Sequence, residues 1–245
     1  MRLEGSGFLF KREHHVRIAT LLQALDADTL ADHGCLFGGG TAIVLSRAEY
    51  RESLDVDFLV SDSAGYRALR HAITGKRGLD AITRPGMKME CAREVRADQY
   101  GIRTMLWVAR AEIKLEIIFE GRVSLDPPDL LDPERRICGV CMLTALDMAA
   151  TKLMANSDRG MDDSVFSRDL IDLAMLEPSQ PLLARAIEKA SAAYGESITR
   201  DLAKAIQRLK DRPGRLDECM SALQMDAIPK ALLWKRIRRV GARLA

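Results

Sequence analysis

The chain has 245 residues, of which 47% are hydrophobic, and its formal net charge is +2. The apolar fraction suffices for a packed core, and the small net charge argues against a protein that binds nucleic acid with its whole surface. No stretch approaches the roughly 18 apolar residues of a membrane span, and the N-terminal segment lacks the apolar run of a signal peptide. The five cysteines fit a reducing compartment. We therefore expect a cytoplasmic protein that does not bind a membrane.

The N-terminal half mixes helical and strand-like patterns, read from apolar spacings of three to four residues or of two. The predicted elements, in chain order, are a helix over 13–31, a helix from Thr41 to about Ala48, a strand at "LDVDFLV" (54–60), a helix over 64–74, and strands at "DAITR" (80–84), "TMLWVA" (104–109) and "IKLEIIF" (113–119). The last two strands are close enough in sequence to form a hairpin.

The C-terminal half is predicted to be helical. A proline-rich loop, "DPPDLLDP" (126–133), separates the halves and is followed by a short strand near residues 137–140. Thr144 with Asp147 resembles a capping box that begins the first of several helices. The predicted class is therefore α+β, with a mixed sheet and flanking helices over residues 1–130 and an all-α domain over 131–245.

Two carboxylates stand out in the strand "LDVDFLV". Asp55 and Asp57 are two residues apart, so a strand directs both side chains to one face. Neighbouring carboxylates repel, and a hard divalent cation such as Mg²⁺ or Mn²⁺ relieves that repulsion while keeping sites for water and substrate phosphates. The alternative is an exposed polar strand face, which the otherwise apolar strand disfavours.

A third carboxylate is expected on a neighbouring strand. Glu116 lies in the middle of "IKLEIIF", on the face shared with Lys114 and Ile118. Glu112 and Glu120 are competing candidates near the ends of the strand. We favour Glu116, because an unpartnered charge among apolar residues would be costly.

A glycine-rich turn precedes the aspartates. Gly39 and Gly40 are followed by Thr41 and the predicted helix, and such a turn directs backbone N–H groups at an anion. A triphosphate held there would lie beside the metal. The alternative is a loop that merely needs positive φ angles.

Two other features have more than one interpretation. Cys138 and Cys141 form a C-x-x-C pair, which we interpret as two buried thiols on a strand rather than as half of a zinc site. The C-terminal segment from Lys230 carries six basic residues and no acidic ones. It is either a solvated helical face or a surface that contacts phosphates.

Two motifs together resemble a known family. Gly39-Gly40-Thr41-Ala42 followed by Arg51-x-Ser53-x-Asp55-Val56-Asp57-Phe58 resembles the polymerase-beta-type nucleotidyltransferase superfamily, and most closely its AbiEii-type toxins of abortive-infection and toxin–antitoxin systems. Ala150-Thr151-Lys152-Leu153 and Arg168-Asp169-Leu170-Ile171-Asp172-Leu173 match that family's second motif. The resemblance spans roughly residues 36 to 176.

The resemblance implies a nucleotidyltransferase fold and a reaction in which an acceptor hydroxyl attacks the α-phosphate of a nucleoside triphosphate, releasing pyrophosphate. Asp55, Asp57 and Glu116 would hold Mg²⁺ or Mn²⁺. Gly39, Gly40, Thr41, Arg51 and Ser53 would bind the nucleotide. Lys152 would pair with a phosphate, and Asp169 would serve as a polar anchor or as a base near the acceptor.

The same resemblance implies the partners, namely a nucleoside triphosphate, tRNA or another RNA as acceptor, and a cognate antitoxin protein. Two other functions remain open at this point. One is a catalytically degenerate module that binds nucleotide or RNA. The other is a small-molecule enzyme of the aminoglycoside-nucleotidyltransferase kind, which shares the fold. Arg168 and Asp172 have the further interpretation of an ordinary pair on a helix surface.

Overall fold

The computed structural model describes residues 10–127 and 135–242, and these form two compact units. One unit comprises the residues up to Leu45 together with Ser53–Met142. The other comprises Ser46–Glu52 and the residues from Leu143 onward. The predicted domain boundary between residues 130 and 131 lies outside the described residues. The predicted α+β class is confirmed, with a mixed sheet in the first unit and helices in the second.

The first unit combines seven strands with short helices in its described part. Its elements are α1 (Glu13–Ala24), α2 (Ala27–Asp32), β1 (Leu36–Gly38), α3 (Gly39–Ser46), β2 (Val56–Val60), α4 (Ser63–Thr74), a 3-10 helix (Gly78–Ile82), β3 (Glu90–Ala97), β4 (Gly101–Val108), β5 (Ala111–Phe119), β6 (Arg136–Ile137) and β7 (Val140–Cys141).

The main sheet has five strands in the order β1-β2-β5-β4-β3. Within it, the central β2–β5 pair is parallel and the other pairs are antiparallel. The predicted hairpin of β4 and β5 is confirmed, with Ala109 and Arg110 both at positive φ in its turn. Helices α1 and α4 contact the sheet and bury Ile18, Leu22 and Leu69 against it.

Several predicted elements of the first unit were wrong. The helix over 13–31 is broken at Leu25, which pairs with Thr83 in an isolated bridge, and Asp26 caps a new helix by accepting the Thr29 N–H. The segment "DAITR" contains the end of a 3-10 helix instead of a strand. The single strand at 137–140 is two strands around a turn at Cys138 and Gly139, both at positive φ.

Two strands were not predicted at all. The edge strand β3 is largely exposed on both faces, so it has no apolar alternation to detect. The three-residue strand β1 is too short for a period and runs directly into the glycines. Both strands extend the sheet around the β2–β5 pair, on which the candidate site lies.

The described part of the second unit contains the helices that were predicted. They are α5 (Ala145–Arg159), a 3-10 helix (Asp163–Val165), α6 (Arg168–Leu176), α7 (Gln180–Tyr194), α8 (Ser197–Asp211), α9 (Arg215–Ala222) and α10 (Lys230–Gly241). Thr144 caps α5 as expected, accepting the Asp147 N–H at 3.1 Å. Helix α5 packs on α6, α7 and α8. None of the described helices is both long and apolar enough to cross a membrane.

The basic C-terminal segment forms α10, which packs on α6 and α8. Leu233, Ile237 and Val240 are buried on one side of the helix, whereas Leu232 is exposed. The exposed basic side chains are Lys230, Lys235, Arg238 and Arg239, whereas Arg236 is partly buried and pairs with Glu177. Arg243, the last of the six basic residues of the segment, lies outside the described residues.

Candidate active site

The two aspartates lie where the buried strand β2 begins. Asp55 directly precedes the strand and is exposed, whereas Asp57 is its second residue and is half-buried. Val56 and Phe58, which alternate with them, are buried and hold the strand in the core. The alternation therefore directs both carboxylates to the face opposite these apolar side chains.

Glu116 is the direct register partner of Asp57 across the parallel β2–β5 pair. Neighbouring strands are about 4.8 Å apart, so the two carboxyl groups project side by side from one face. Among the competing residues, Glu112 lies nearer the start of β5, opposite Trp107, and Glu120 follows β5, where it is buried and pairs with Arg122. The strand register thus brings Glu116 next to the aspartates.

Two cations contact the third carboxylate. Arg103 Nε donates to Glu116 Oε1 at 2.9 Å, and Lys114 Nζ donates to Oε2 at 2.5 Å. Burial alone would lower the pKa of Lys114, but Glu116, with smaller contributions from Asp55 and Asp57, raises it above its ordinary value. Lys114 is therefore a protonated ammonium group among three carboxylates.

Gly39 begins α3 and lies against the Asp57 side chain. Its φ is +68°, and a Cβ atom placed on it would be 2.5 Å from Asp57 Oδ2. Only glycine accommodates both the positive φ angle at this position and the close approach of the Asp57 side chain. The first turn of an eight-residue helix, with Gly39 and Gly40 half-exposed, therefore begins beside the carboxylates.

Thr41 and Ser53 fix the segment that leads into Asp55. The buried Thr41 hydroxyl donates to the Asp55 carbonyl oxygen and shares a 2.8 Å hydrogen bond with the Ser53 hydroxyl. The Ser53 N–H donates to Nε2 of the buried His15 at 3.1 Å. These contacts indicate that Thr41 and Ser53 position Asp55. Their predicted contacts with the nucleotide remain predictions.

The donor chemistry of this face fits a hard divalent cation. Carboxylate oxygens are the ligands that Mg²⁺ and Mn²⁺ prefer, and Mg²⁺ commonly takes one or two of them beside substrate phosphates. Asp55 and Asp57 meet that need. In the described part of the chain no three His, Cys, Asp or Glu side chains are arranged to hold a metal. Both oxygens of Glu116 contact cations, so its role as a metal ligand remains a prediction.

The second unit contains the other predicted residues in a buried network of charges. Lys152 on α5 pairs with Asp169 at 2.9 Å and with Asp172 at 2.7 Å. Asp169 also accepts from Arg159 at 2.7 Å, and Asp172 accepts from Arg51 at 2.7 and 2.8 Å. The interpretation of Asp172 as a helix-surface residue is wrong, because its side chain has no exposed area.

Arg51 uses all three guanidinium nitrogens within the second unit. Two of them contact Asp172, and Nη1 donates to the Glu52 carbonyl oxygen at 2.7 Å. The neighbouring Tyr50 hydroxyl donates to Asp172 as well, at 2.6 Å. Arg51 therefore anchors the segment Ser46–Glu52, and its assignment to nucleotide binding is a prediction that no contact of this structure supports directly.

The network also affects the acidity of its carboxyl groups. Burial alone would raise the pKa of Asp169, but Lys152 and Arg159 outweigh it and hold that pKa well below the usual range. Asp172 shows the same balance, with Arg51 and Lys152 lowering its pKa against burial. A carboxylate with a lowered pKa is a weak base, so the geometry favours Asp169 as an anchor.

Comparison with family models decides the family. The model described as "Nucleotidyl transferase AbiEii toxin, Type IV TA system" matches residues 20–240. This chain belongs to the AbiEii family. The match covers the glycines, the three carboxylates and the Lys152–Asp169 pair of this AbiEii protein, and the resemblance predicted from its two motifs is confirmed. Family membership identifies it as a nucleotidyltransferase and implies a nucleotide substrate and an antitoxin partner.

Two solved structures from Helicobacter pylori are similar to the AbiEii chain along nearly its whole length. One, provisionally named a nucleotidyltransferase, has 18% sequence identity and a TM-score of 0.49 over 94% of both chains. The other, JHP933, has 16% identity and a TM-score of 0.49 over 96% of this chain and 94% of its own. No curated protein matches the chain.

Sequence reasoning missed several residues of this AbiEii site. The period of two places Lys114 on the same strand face as Glu116, but that period alone does not predict an ion pair between them. Arg103 lies just outside the predicted strand, and the hairpin register was needed to place it opposite Glu116. His15 gave no local signal, because its partner Ser53 is 38 residues away.

Proposed function

We propose that this AbiEii family member is a metal-dependent nucleotidyltransferase that transfers a nucleoside monophosphate from a nucleoside triphosphate to a macromolecular acceptor, an RNA such as tRNA. The observation that carries the proposal is the alignment of Gly39, Asp57 and Glu116 on adjacent elements. A site for phosphate oxygens thereby adjoins carboxylates of the kind that bind Mg²⁺.

The start of α3 is the proposed phosphate site. The first N–H groups of a helix have no partner within the helix, and they carry the positive end of its dipole. Gly39 and Gly40 leave the backbone open to an approaching phosphate. Thr41 contributes by holding Asp55 in place through its hydroxyl.

Asp55 and Asp57 are the proposed metal ligands, with Glu116 as the third if it exchanges its cations for the metal. The chemistry that a bound divalent cation supplies is activation of the acceptor hydroxyl and neutralisation of charge on the phosphates. The acceptor oxygen bonds to the α-phosphorus, the bond from that phosphorus to the bridging oxygen breaks, and pyrophosphate leaves with the electron pair. The hydroxyl proton passes to a carboxylate or to water.

Residues of the second unit have supporting roles in the proposal. Lys152 pairs with two carboxylates, and the family resemblance assigns it a phosphate contact. Asp169 anchors its amine, and Asp172 anchors Arg51. In this account Arg51 and Ser53 influence the nucleotide by shaping the segment between the glycines and Asp55.

One observation favours a second candidate, a module that binds nucleotide or RNA without turnover. Lys114 and Arg103 already neutralise Glu116, so the third carboxylate is engaged within the protein. The enzyme and the binding module would both bind nucleotide or RNA, and they differ only in whether a nucleotide is transferred. An enzyme of the aminoglycoside kind has no such observation in its favour.

The test is incubation of the protein with labelled nucleoside triphosphates and Mg²⁺ in the presence of total RNA, of cell protein or of aminoglycosides. We expect label in the RNA fraction. Label in aminoglycosides alone would identify a small-molecule enzyme, and bound nucleotide without transfer to any acceptor would favour the degenerate module. Co-expression with the protein encoded by an adjacent gene tests the antitoxin, which we expect to relieve growth arrest.

A further inference from the structure

One face of the main sheet remains exposed beyond the carboxylates. Along β4, Ile102, Leu106 and Val108 are buried, whereas Arg103 and Trp107 on the other face are 42% and 44% exposed. On β3, the neighbouring Arg93 is 72% exposed and Arg96 is also exposed. The sheet therefore presents a polar and aromatic surface next to the candidate site.

Charge changes sign across one row of this face. The row runs through register partners from Asp57 to Glu116, then to Arg103 and finally to Arg96. At about 4.8 Å per strand, Arg103 lies roughly 10 Å and Arg96 roughly 14 Å from Asp57. A polyanion that ends at the carboxylates would therefore pass over guanidinium groups.

Trp107 adds an exposed aromatic side chain to the same face. It lies four residues from Arg103 along β4, about 14 Å away, with Glu90 and Glu112 as its register partners. Met105, the partner of Arg93, lies between Arg103 and Trp107 and is half-buried. An exposed indole on a flat strand face is a surface on which a nucleobase stacks whatever its identity.

We propose that this surface, the sheet platform of Arg93, Arg96, Met105 and Trp107, binds a single-stranded segment of the acceptor RNA. Trp107 stacks on a base, Arg93 and Arg96 contact phosphates, and Arg103 links the platform to the carboxylates through Glu116. Glu90 and Glu112 flank Trp107, and Glu112 also pairs with Arg93 at 4.0 Å, so a base rather than the backbone lies beside Trp107 while the exposed Arg93 guanidinium turns to a phosphate. The proposal rests on the proposed function, because it assigns the position of that reaction's acceptor.

Direct binding is measured with an unstructured 12-nucleotide RNA oligonucleotide. The chain has two tryptophans, so a Trp234→Phe variant leaves Trp107 as the sole one, and its fluorescence should be quenched by the RNA. Trp107→Ala should weaken binding about tenfold, and Trp107→Phe should restore most of the affinity. Arg93→Ala with Arg96→Ala should reduce the salt slope of binding by about 1.4, at about 0.7 per phosphate contact.

The matched control is Arg185→Ala with Lys204→Ala, which removes the same charge from exposed positions of α7 and α8. This control has the same net charge as the platform variant. Its affinity for RNA and its salt slope should nevertheless stay close to those of the parent. Equal losses in control and platform variants would overturn the proposal. The proposal would also be overturned if the parent did not bind the RNA, or if Trp107 were found to bind only a protein.

Transfer assays on the same variants separate this proposal from the proposed function. If the parent binds RNA through Trp107 but transfers no nucleotide, the proposed function fails and the sheet platform stands. If the parent modifies RNA and Trp107→Ala does so with an unchanged KM for RNA, the sheet platform fails and the function stands. We expect a raised KM for RNA and an unchanged KM for the nucleoside triphosphate.

Discussion

Gly39 and Asp57 are in direct contact, such that a Cβ atom on the glycine would lie 2.5 Å from an oxygen of the carboxylate. The start of α3 and the strand β2 are thereby fitted to each other, although the two residues are separated by the whole segment between the glycines and the aspartates. In the proposed enzyme, this contact keeps the phosphate site beside the metal ligands.

The contact makes Gly39→Ala a test of the site. The substitution forces a side chain into a left-handed conformation, at a cost of roughly 1–3 kcal/mol, and displaces Asp57. Gly34→Ala is the control, because Gly34 has a φ of +63° and a Cβ atom added there would meet no neighbouring atom within 4 Å. Both variants should lose stability in denaturant unfolding, but only Gly39→Ala should lose nucleotidyl transfer by two orders of magnitude or more. Parental activity in Gly39→Ala would contradict the contact's role.

The buried Arg51–Asp172 pair predicts a large effect on stability. Asp172→Asn leaves Arg51 and Lys152 buried without their full counter-charge, and breaking such a pair costs about 3–5 kcal/mol. Asp217→Asn is the control, because its pair with Lys230 is exposed on both sides. Urea unfolding should show a large loss for the first variant and little change for the second. Similar losses of unfolding free energy in the two variants would show that the effect does not depend on the burial of the charge network.

The same network predicts how stability depends on pH. The pKa of Asp172 is lower in the folded than in the unfolded chain, where a carboxyl group has a pKa of about 3.9. The ionised Asp172 therefore makes its full contribution to the free energy of unfolding above the unfolded pKa, and this contribution is lost as the pH falls through the folded pKa. The difference in unfolding free energy between the parent and Asp172→Asn should stay constant above about pH 5 and shrink as the pH falls from the unfolded pKa of about 3.9 toward about pH 2. A constant difference across that range would contradict the ionised pair.

The basic face of α10 offers a separate prediction about RNA. If Arg238 and Arg239 contact phosphates, changing both to Glu should weaken RNA binding and lower its salt slope by about 1.4, with nucleoside triphosphate binding unchanged. Arg185→Glu with Lys204→Glu is the control for net charge. Binding that matches the parent's at every salt concentration would identify α10 as a solvated helix.

Local patterns in the sequence predicted the parts of the fold that repeat. The period of two in β2 and β5 placed Asp55 and Asp57 on one face of their strand and Glu116 on the face shared with Lys114. The helical second unit followed from spacings of three and four. Contacts between distant segments were beyond such patterns. Arg51 and Asp172 are 121 residues apart, and the contacts of Glu116 with Arg103 depend on strand register. The break at Leu25 depends on its bridge to Thr83, which is remote in sequence.

The central claim is that Asp55 and Asp57 serve nucleotidyl transfer, and the position of the transferred label tests it most directly. Parent protein is incubated with RNA, Mg²⁺ and a nucleoside triphosphate labelled at either the α- or the γ-phosphate. The account predicts RNA labelled from the α-phosphate only, with release of γ-labelled pyrophosphate. Asp55→Asn and Asp57→Asn should lower transfer by orders of magnitude while retaining the parent's circular dichroism, and Asp28→Asn, an exposed control, should not. Label from the γ-phosphate, or full activity in either site variant, would contradict the account.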